Sequence, residues 1–272
     1  MRMRSGWIFL ALALSAGVGQ ARADGTLAAH RAAYNISLAT GTGAQAPVSA
    51  SGLIAYEFRG SRCAGYASNF RQVTVLQKSE GKAISADTKA TMFEDGQGRT
   101  LQFQVDSSGS DSPTDPIEGK AARSDGGDVS VNLAKPTAQK IDLGSDILFP
   151  TQHIARIIEN AKAGASTLQA RVFDGSDTGS KIYDTMTVIG KAGAGPAEDA
   201  SNSEALKGLA RWPVTISYFD AAKKDSAAEY ILTFDLYENG VSGSLKLDYG
   251  AFALAAHLVQ IELLPADASC AN

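Results

Sequence analysis

The first residues to consider for chemistry are Cys63 and Cys270, the two cysteines of this 272-residue chain. An even number of cysteines in an exported protein favours a disulfide. With two cysteines there is one pairing, Cys63 with Cys270, which would hold a C-terminal tail that otherwise frays. A loop of roughly 200 residues would be stabilised by about 5 kcal/mol on a chain-entropy estimate. The alternative is two free thiols, one of them reactive.

The three histidines, His30, His153 and His257, do not have the spacing of a metal site. They are predicted at the start of a strand, in the first turn of a helix and at the start of the last strand. A zinc or copper site needs three or four convergent ligands. We therefore predict no metal and no other cofactor.

Two short motifs resemble catalytic or metal sites but fit turns better. Ser79 and Lys82 match the S-x-x-K of penicillin-recognising enzymes, yet the K-T-G and S-D-N elements that accompany it are absent from the chain. The stretch that begins at Asp174 resembles a calcium loop, but Thr185 stands where a bidentate Glu is needed. We predict both stretches to be turns between strands, and we predict that the protein is not an enzyme.

The N-terminus has the layout of a secretory signal peptide. Basic residues precede an apolar stretch at residues 7–18, and the small residues Ala21 and Ala23 offer a cleavage site before Asp24. The alternative is a transmembrane anchor, but spanning a bilayer requires roughly 20 apolar residues. We predict that residues 1–23 are removed on export.

The mature chain, residues 24–272, is acidic. The full chain has 25 Lys and Arg against 29 Asp and Glu, and the signal peptide carries three of the arginines. Scattered basic residues argue against binding to nucleic acid or to an anionic membrane surface, which both require clustered Lys and Arg. The length fits one large all-β domain or two smaller ones. A disulfide that joins its two ends favours one domain, and we predict a monomer that is not an integral membrane protein.

Alternation of apolar and polar residues runs through most of the chain and predicts strands with one buried face. Residues 101–106, 129–133, 232–236 and 245–249 show it most regularly. Turn signals rich in Gly, Asp and Asn separate such stretches. The pattern predicts an all-β, mainly antiparallel protein of a dozen or more strands.

One segment, residues 150–164, has a helical period instead. Its apolar residues from Ile154 to Ala161 share one face, and Gly164 is placed to end the helix. A second, shorter helix is predicted around Leu206. So many strands must close into a barrel, split into a sandwich or curl round. One amphipathic helix in mid-chain favours a curved sheet with the helix in or across its mouth, and such a sheet often leaves a cavity for an apolar ligand.

Several long stretches occur in a fixed order and together carry a family resemblance. They are "HRAAYNISLA", "YEFRGSRCAGYASNFR", "TMFEDGQGRTLQFQ", "FPTQHIARII", "ARVFDGSDTGSKIYDT", "RWPVTISYFD", "LTFDLYENGVSGSLKLDYG" and the closing "LLPADASC". In this order they resemble the EipB-like family of periplasmic cell-envelope integrity proteins of alphaproteobacteria. The resemblance extends from about His30 to Cys270.

The resemblance implies a β-spiral, a long antiparallel sheet wound into a partly open barrel around a helix. That shape is similar to the carriers that move lipoproteins between bacterial membranes. The resemblance also implies a periplasmic location, tolerance of envelope stress and one disulfide, for which the matching residues are Cys63 and Cys270. It carries no catalytic residues.

The leading hypothesis is a non-enzymatic periplasmic protein that supports the envelope by binding a partner protein or an acyl-chain or lipoprotein-type ligand. A purely structural or protein-interaction module without a cavity is the second. A hydrolase of envelope polymer, using carboxylates such as Glu57, Asp235 and Glu262, is the third. Two strand rows are expected either to face an apolar cavity or simply to fill the core, and they are Ile54, Tyr56 and Phe58, and Val214, Ile216 and Tyr218.

Overall fold

The computed structural model of the protein describes residues 27–43, 46–79, 81–110, 115–194, 203–223 and 226–266. These residues form sixteen strands, one α-helix and one turn of 3-10 helix. The strands are β1 His30–Gly41, β2 Ser49–Ser61, β3 Gly65–Gln77, β4 Ala83–Glu94, β5 Thr100–Gly109, β6 Ile117–Arg123, β7 Val129–Lys135, β8 Gln139–Gly144, β9 Ile147–Leu148, β10 Thr167–Val172, β11 Tyr183–Ile189, β12 Gly193–Ala194, β13 Ala210–Asp220, β14 Tyr230–Tyr237, β15 Ser242–Asp248 and β16 Phe252–Leu263. The helix α1 spans Pro150–Lys162 and the 3-10 turn spans Glu204–Leu206.

All of these strands belong to one sheet. Its order is β8-β7-β6-β5-β4-β3-β2-β1-β16-β15-β14-β13-β11-β10-β9, and β12 pairs with β13 beside this path. Every pairing is antiparallel except that of β9 with β10. The first and last strands meet in the middle of the order, and the two edge strands, β8 and β9, follow each other in the chain. The predicted all-β, mainly antiparallel and barrel-like fold is confirmed.

The alternation in the sequence sets which side of the sheet is buried. In β1, His30, Ala32, Tyr34 and Ile36 are buried, whereas the residues between them are exposed or partly exposed. Successive side chains of a strand point to opposite faces, so one face becomes the inner lining and the other faces solvent. The wound sheet encloses its own core.

α1 lies across one mouth of the wound sheet, as the sequence predicts. Ile157 and Ile158 are buried in a cluster with Trp212 and Val214 of β13. The helix ends at Lys162, and Gly164, two residues further on, has a φ of 78° in the left-handed region that favours glycine. A helix with one apolar stripe therefore packs against the buried side chains of β13.

The segment between β10 and β11, residues 173–182, turns into the interior beside β5 to β7. Phe173 is fully buried, with its ring centroid 5.5 Å from that of Phe103 in an edge-to-face contact. Gly175 has φ 73°, and a Cβ atom there would lie 2.4 Å from the Phe103 ring. The same segment approaches Leu133 at Gly179, where a Cβ atom would lie 2.6 Å from the leucine side chain. Glycine is required at both positions because of this close approach.

Two sequence predictions need adjustment. The second helix is a single 3-10 turn, Glu204–Leu206, although Leu206 is fully buried as expected. His257 lies in the middle of β16, not at its start, and is exposed. The predicted signal peptide, with Ala21, Ala23 and Asp24, and also Cys270 lie outside the described residues. Within the described ranges, no helix is both long enough and apolar enough to cross a membrane.

Candidate ligand-binding cavity

A cavity of about 250 Å³ lies between the inner faces of β1 to β3, the N-terminal turn of α1 and the start of β15. Most of its lining is apolar, and the apolar side chains are those of Leu27, Ile54, Phe58, Phe70, Pro150, Ile154 and Leu245. Its volume is close to the lower end of the range for small-molecule pockets, about 300 Å³. With about 30 Å³ for a water-sized group, it has room for about eight such groups.

The register of three neighbouring strands builds the cavity wall. Tyr34 of β1 lies opposite Ile54 of β2, and Phe70 of β3 lies opposite Tyr56. Tyr56 and Phe58 continue the row on β2, with ring centroids 6.5 Å apart. The predicted row 54, 56 and 58 therefore lines the cavity. Tyr34 is fixed in this wall because its hydroxyl donates to the Ser242 carbonyl at 2.7 Å.

The other predicted row, on β13, has a different role. Val214 and Ile216 are fully buried and pack in the cluster that receives α1. Tyr218 stacks on Tyr230 of β14, with centroids 4.4 Å apart. This row fills the core and does not face the cavity. The sequence pattern allowed either outcome.

Glu94, the last residue of β4, contacts the start of α1, whose residues Pro150 and Thr151 line the cavity. Its carboxylate accepts hydrogen bonds from the backbone N–H groups of Thr151 at 2.8 Å and Gln152 at 3.2 Å. Burial raises the pKa of Glu94 to about 7, against the opposing effect of these hydrogen bonds. The residue before the helix, Phe149, has no polar side chain, so Glu94 supplies the acceptor that an N-cap residue usually provides.

Arg123 of β6 also binds the N-terminal end of α1. Its guanidinium donates to the carbonyls of Ile147 at 2.6 Å and Gly98 at 3.2 Å and to the Gln152 side chain at 3.3 Å. It also lies 5.3 Å from the centre of the Phe149 ring. Burial lowers the pKa of Arg123, and the nearby negative charge of Glu94 acts in the opposite direction. Its hydrogen-bond acceptors at this helix end are thus neutral groups, namely two backbone carbonyls and the side-chain amide of Gln152.

Two buried histidines lie near this end of the cavity. His30 lines the cavity, and its Nδ1 donates to the Ala28 carbonyl at 2.7 Å. Burial lowers its pKa. His153 lies in the first turn of α1, and burial lowers its pKa to about 4. Its Nε2 has no hydrogen-bond partner among the described residues. Both rings are therefore neutral at pH 7.

Comparison with known proteins places this arrangement in a family. The EipB-like family model matches residues 21–265. The chain belongs to the EipB-like family. It is 33% identical over 249 residues to the cell envelope integrity protein EipB of Brucella abortus (strain 2308), covering 91% of this chain and 88% of that protein. It is also similar to a crystal structure of a β-barrel-like protein of domain of unknown function DUF1849 from Brucella abortus. The TM-score is 0.81 at 33% identity, and the match covers 88% of this chain and 99% of that one.

The two motifs that the sequence marks as turns are turns in this family member. At residues 78–82, the Lys78 N–H donates to the Lys82 carbonyl at 2.8 Å, so Ser79 and Lys82 lie in a β3–β4 hairpin. In the calcium-like stretch, the Asp174 carboxylate accepts from the Ser176 N–H at 2.9 Å. The described residues contain no group of three or more acidic, His or Cys side chains that could hold a metal ion.

The three candidate carboxylates lie in ion pairs. Glu57 pairs with Arg31 and with Arg59, and Glu262 lies 3.8 Å from Arg31. Asp235 is elsewhere, 3.1 Å from Arg211. Glu57 and Glu262 are thus brought to the same arginine, and Asp235 is not. None of the three lines the cavity.

Cys63 lies in the turn between β2 and β3. Its predicted partner, Cys270, is beyond the described residues, so the pairing remains a prediction. The sequence search for chemistry missed Glu94 and Arg123. The signal that points to them is the segment "FPTQ", which starts a helix without a Ser, Thr, Asp or Asn at its N-cap.

Proposed function

We propose that this EipB-like protein supports the cell envelope from the periplasm, without catalysis, by holding an acyl chain in the cavity of its wound sheet. The observation that carries the proposal is the cavity of about 250 Å³ behind the β1–β3 wall, with seven apolar side chains around it. Buried apolar space that the protein's own side chains leave unfilled favours an apolar occupant. The envelope role is supported by the name of the relative, a cell envelope integrity protein.

Access to the cavity is supported by the inner face of β3 and β4. Phe70 and Gln72 of β3 and Ala90 and Met92 of β4 are only partly buried. The inner residues of β5 and β7, by contrast, are buried. A chain could therefore enter along this partly buried face.

The proposal includes export, a single monomeric domain at residues 24–272 and a Cys63–Cys270 disulfide. The disulfide is supported by where the strands end. β2 and β16 run in the same direction on either side of β1, and Phe58 and Leu263 both pair with His30. Two strand spacings separate them, about 10 Å. The four residues that follow Ala266 and end at Cys270 can span about 14 Å, which is enough to reach Cys63.

The test is native mass spectrometry of the mature protein purified from its own cells without reducing agent. We expect an adduct of lipid mass that leaves on gentle activation, and a bare mass that reports the cut after Ala23 and one disulfide. A bare polypeptide alone would contradict the acyl-chain proposal and favour a protein-interaction module.

A pair of matched variants ties the adduct to the cavity. Ser68→Leu places an isobutyl group into the cavity from β3, and Ser51→Leu places the same group on the exposed outer face of β2. We expect the adduct to disappear in Ser68→Leu and to persist in Ser51→Leu. Equal adducts in both variants would place the lipid elsewhere on the protein.

A further inference from the structure

The polar atoms of the cavity suggest which acyl-type ligand it accepts, an inference that rests on the proposed function. His30 is only 3% exposed and lines the cavity. A carbonyl oxygen can only accept a hydrogen bond, so the contact with the Ala28 carbonyl places the proton of the neutral ring on Nδ1. Nε2 is then a hydrogen-bond acceptor, and no hydrogen bond within the described part of the chain uses it.

Tyr56 offers the complementary group. Its ring centroid lies 5.6 Å from that of His30, and it lines the same cavity. Burial strongly raises the pKa of Tyr56, with a smaller contribution from the charge of Glu94, so the hydroxyl stays protonated. The hydroxyl has no hydrogen-bond partner among the described residues. The cavity therefore presents one acceptor and one donor side by side.

The charges around this polar end disfavour an anion. A helix N-terminus usually attracts anions because its N–H groups are free. Here the Glu94 carboxylate already occupies the N–H groups of Thr151 and Gln152, and Thr151 itself lines the cavity. No Lys or Arg is among the described lining residues. Arg123, the cation at this helix end, does not line the cavity, and it donates to two backbone carbonyls and to the Gln152 side chain. A ligand carboxylate or phosphate would thus lie near the buried Glu94 carboxylate with no cation in the described cavity lining to pair with.

We infer that the cavity selects an alkyl chain whose polar end is uncharged and both donates and accepts a hydrogen bond, as in a fatty alcohol or a monoacylglycerol. The hydroxyl of such a ligand donates to His30 Nε2 and accepts from the Tyr56 hydroxyl. Free fatty acids and phosphate-bearing heads are disfavoured at this position because of Glu94. The apolar lining holds the chain, and these two residues select the head.

The experiment compares three probes of similar length by NMR chemical-shift titration of the mature protein at pH 8. The probes are 1-heptanol, its isomer 1-methoxyhexane, which cannot donate a hydrogen bond, and heptanoate. We expect the ether to bind about fivefold more weakly than the alcohol, the equivalent of one hydrogen bond. Heptanoate should bind at least tenfold more weakly than the alcohol.

Variants separate the two parts of the inference. In His30→Phe the alcohol-to-ether ratio should fall to about one, and Tyr56→Phe, which removes only a hydroxyl, should lower the affinity for both. Glu94→Gln should lower the alcohol-to-heptanoate ratio severalfold. The control Glu57→Gln removes a carboxylate from a surface ion pair and should leave that ratio unchanged. Thermal unfolding of each variant confirms that it is folded.

The outcomes distinguish this inference from the proposed function. If the ether and heptanoate bind as tightly as the alcohol, the cavity binds alkyl chains and the head-group selection is wrong. An unchanged alcohol-to-heptanoate ratio in Glu94→Gln also overturns it. If none of the three probes binds, the proposed acyl-chain function itself fails.

Discussion

The two sides of the wound sheet have the same alternating pattern but different interiors. On the filled side, β5 to β8, Leu101, Ala121, Val129 and Val131 are fully buried around Phe173. On the cavity side, the β1–β3 wall, the lining is mostly apolar yet encloses about 250 Å³ of space. The difference comes from what is packed against each side. The segment 173–182 inserts into the first, whereas the start of α1, Leu27 and the start of β15 surround the second without filling it.

That contrast indicates a division of roles. A close-packed interior supplies most of the stability of a domain, since voids forfeit dispersion contacts. A region kept open forgoes part of that stability and can bind a ligand. The filled side therefore stabilises the sheet, and the cavity side carries the proposed function.

The largest expected effect is at the disulfide proposed for the cavity side. Cys63→Ser should lower the free energy of unfolding by up to about 5 kcal/mol, because the unfolded chain would gain the freedom of a long loop. Reduction of the wild type should have the same effect on the thermal melt. Hydrogen exchange should increase throughout the sheet and most strongly in β1, β2 and β16, next to the lost bridge. A melt that does not change on reduction would rule out the bridge.

Truncation of one phenylalanine on each side of the sheet should cost different amounts of unfolding free energy. Phe173→Ala removes a fully buried ring and should cost about 3–5 kcal/mol of unfolding free energy. Phe70→Ala removes a partly buried ring of the cavity wall and should cost about 1–2 kcal/mol. Urea denaturation measures both. Equal losses would mean that the two interiors are packed alike.

The pH dependence of stability should reveal two opposing groups at the start of α1. The pKa of Glu94 is raised from 4.5 to about 7, so its contribution to the unfolding free energy is lost as pH rises through this range. The pKa of His153 is lowered from 6.5 to about 4, so its contribution is lost as pH falls through that range. Each difference corresponds to about 3 kcal/mol, and the two nearly cancel between about pH 4.5 and 6.5.

Single variants remove this cancellation. Glu94→Gln should lose about 3 kcal/mol of unfolding free energy relative to its own maximum as pH falls from about 6.5 to 4. His153→Leu should instead lose stability as pH rises from about 4.5 to 7. His257→Gln, on the exposed face of β16, is the matched control and should follow the wild type. Parallel curves for all four proteins would show that neither buried group titrates as described.

The smallest expected effect concerns added volume. Ala121→Leu on the filled side should cost about 1–3 kcal/mol, because the fully buried Ala121 has no space for three more carbons. Ser68→Leu points into the cavity, and its stability should change by less than about 1 kcal/mol in either direction. Thermal unfolding compares the two. A larger loss for Ser68→Leu would indicate that the cavity is closed in solution.

Much of this architecture can be predicted from local patterns. The row Ile54, Tyr56 and Phe58 alternates strictly, so its place on an inner wall follows from the period of a strand. The helix at residues 150–162 and its end before Gly164 follow from apolar spacing and a C-terminal glycine in the same way. Whether a wall faces a cavity or a core does not follow, because Val214 and Ile216 show the same alternation and are fully packed.

The missed features depend on contacts between distant segments. Glu94 precedes a turn and reads as a surface residue, yet it accepts from N–H groups more than 50 residues further along the chain. Segment 173–182 reads as a polar turn, and only its close approach to Phe103 shows why two of its residues are glycine. Such contacts are set by how the sheet winds, which the period of a strand does not encode.

The pairing of β1 with β16 has a consequence for the order of folding. His30 lies opposite Leu263, about 230 residues away in the chain, while β5 to β8 pair only with their neighbours in sequence. Contacts at long sequence separation form late, because closing a large loop costs entropy before it brings any contacts. We expect the local hairpins to form early. The pairing of β1 with β16, beside the cavity, should form only when the last strand is available. The ligand cavity would then be the last part of the molecule to form. A chain truncated before β16 would keep most of the strands of the sheet but would lack a functional cavity.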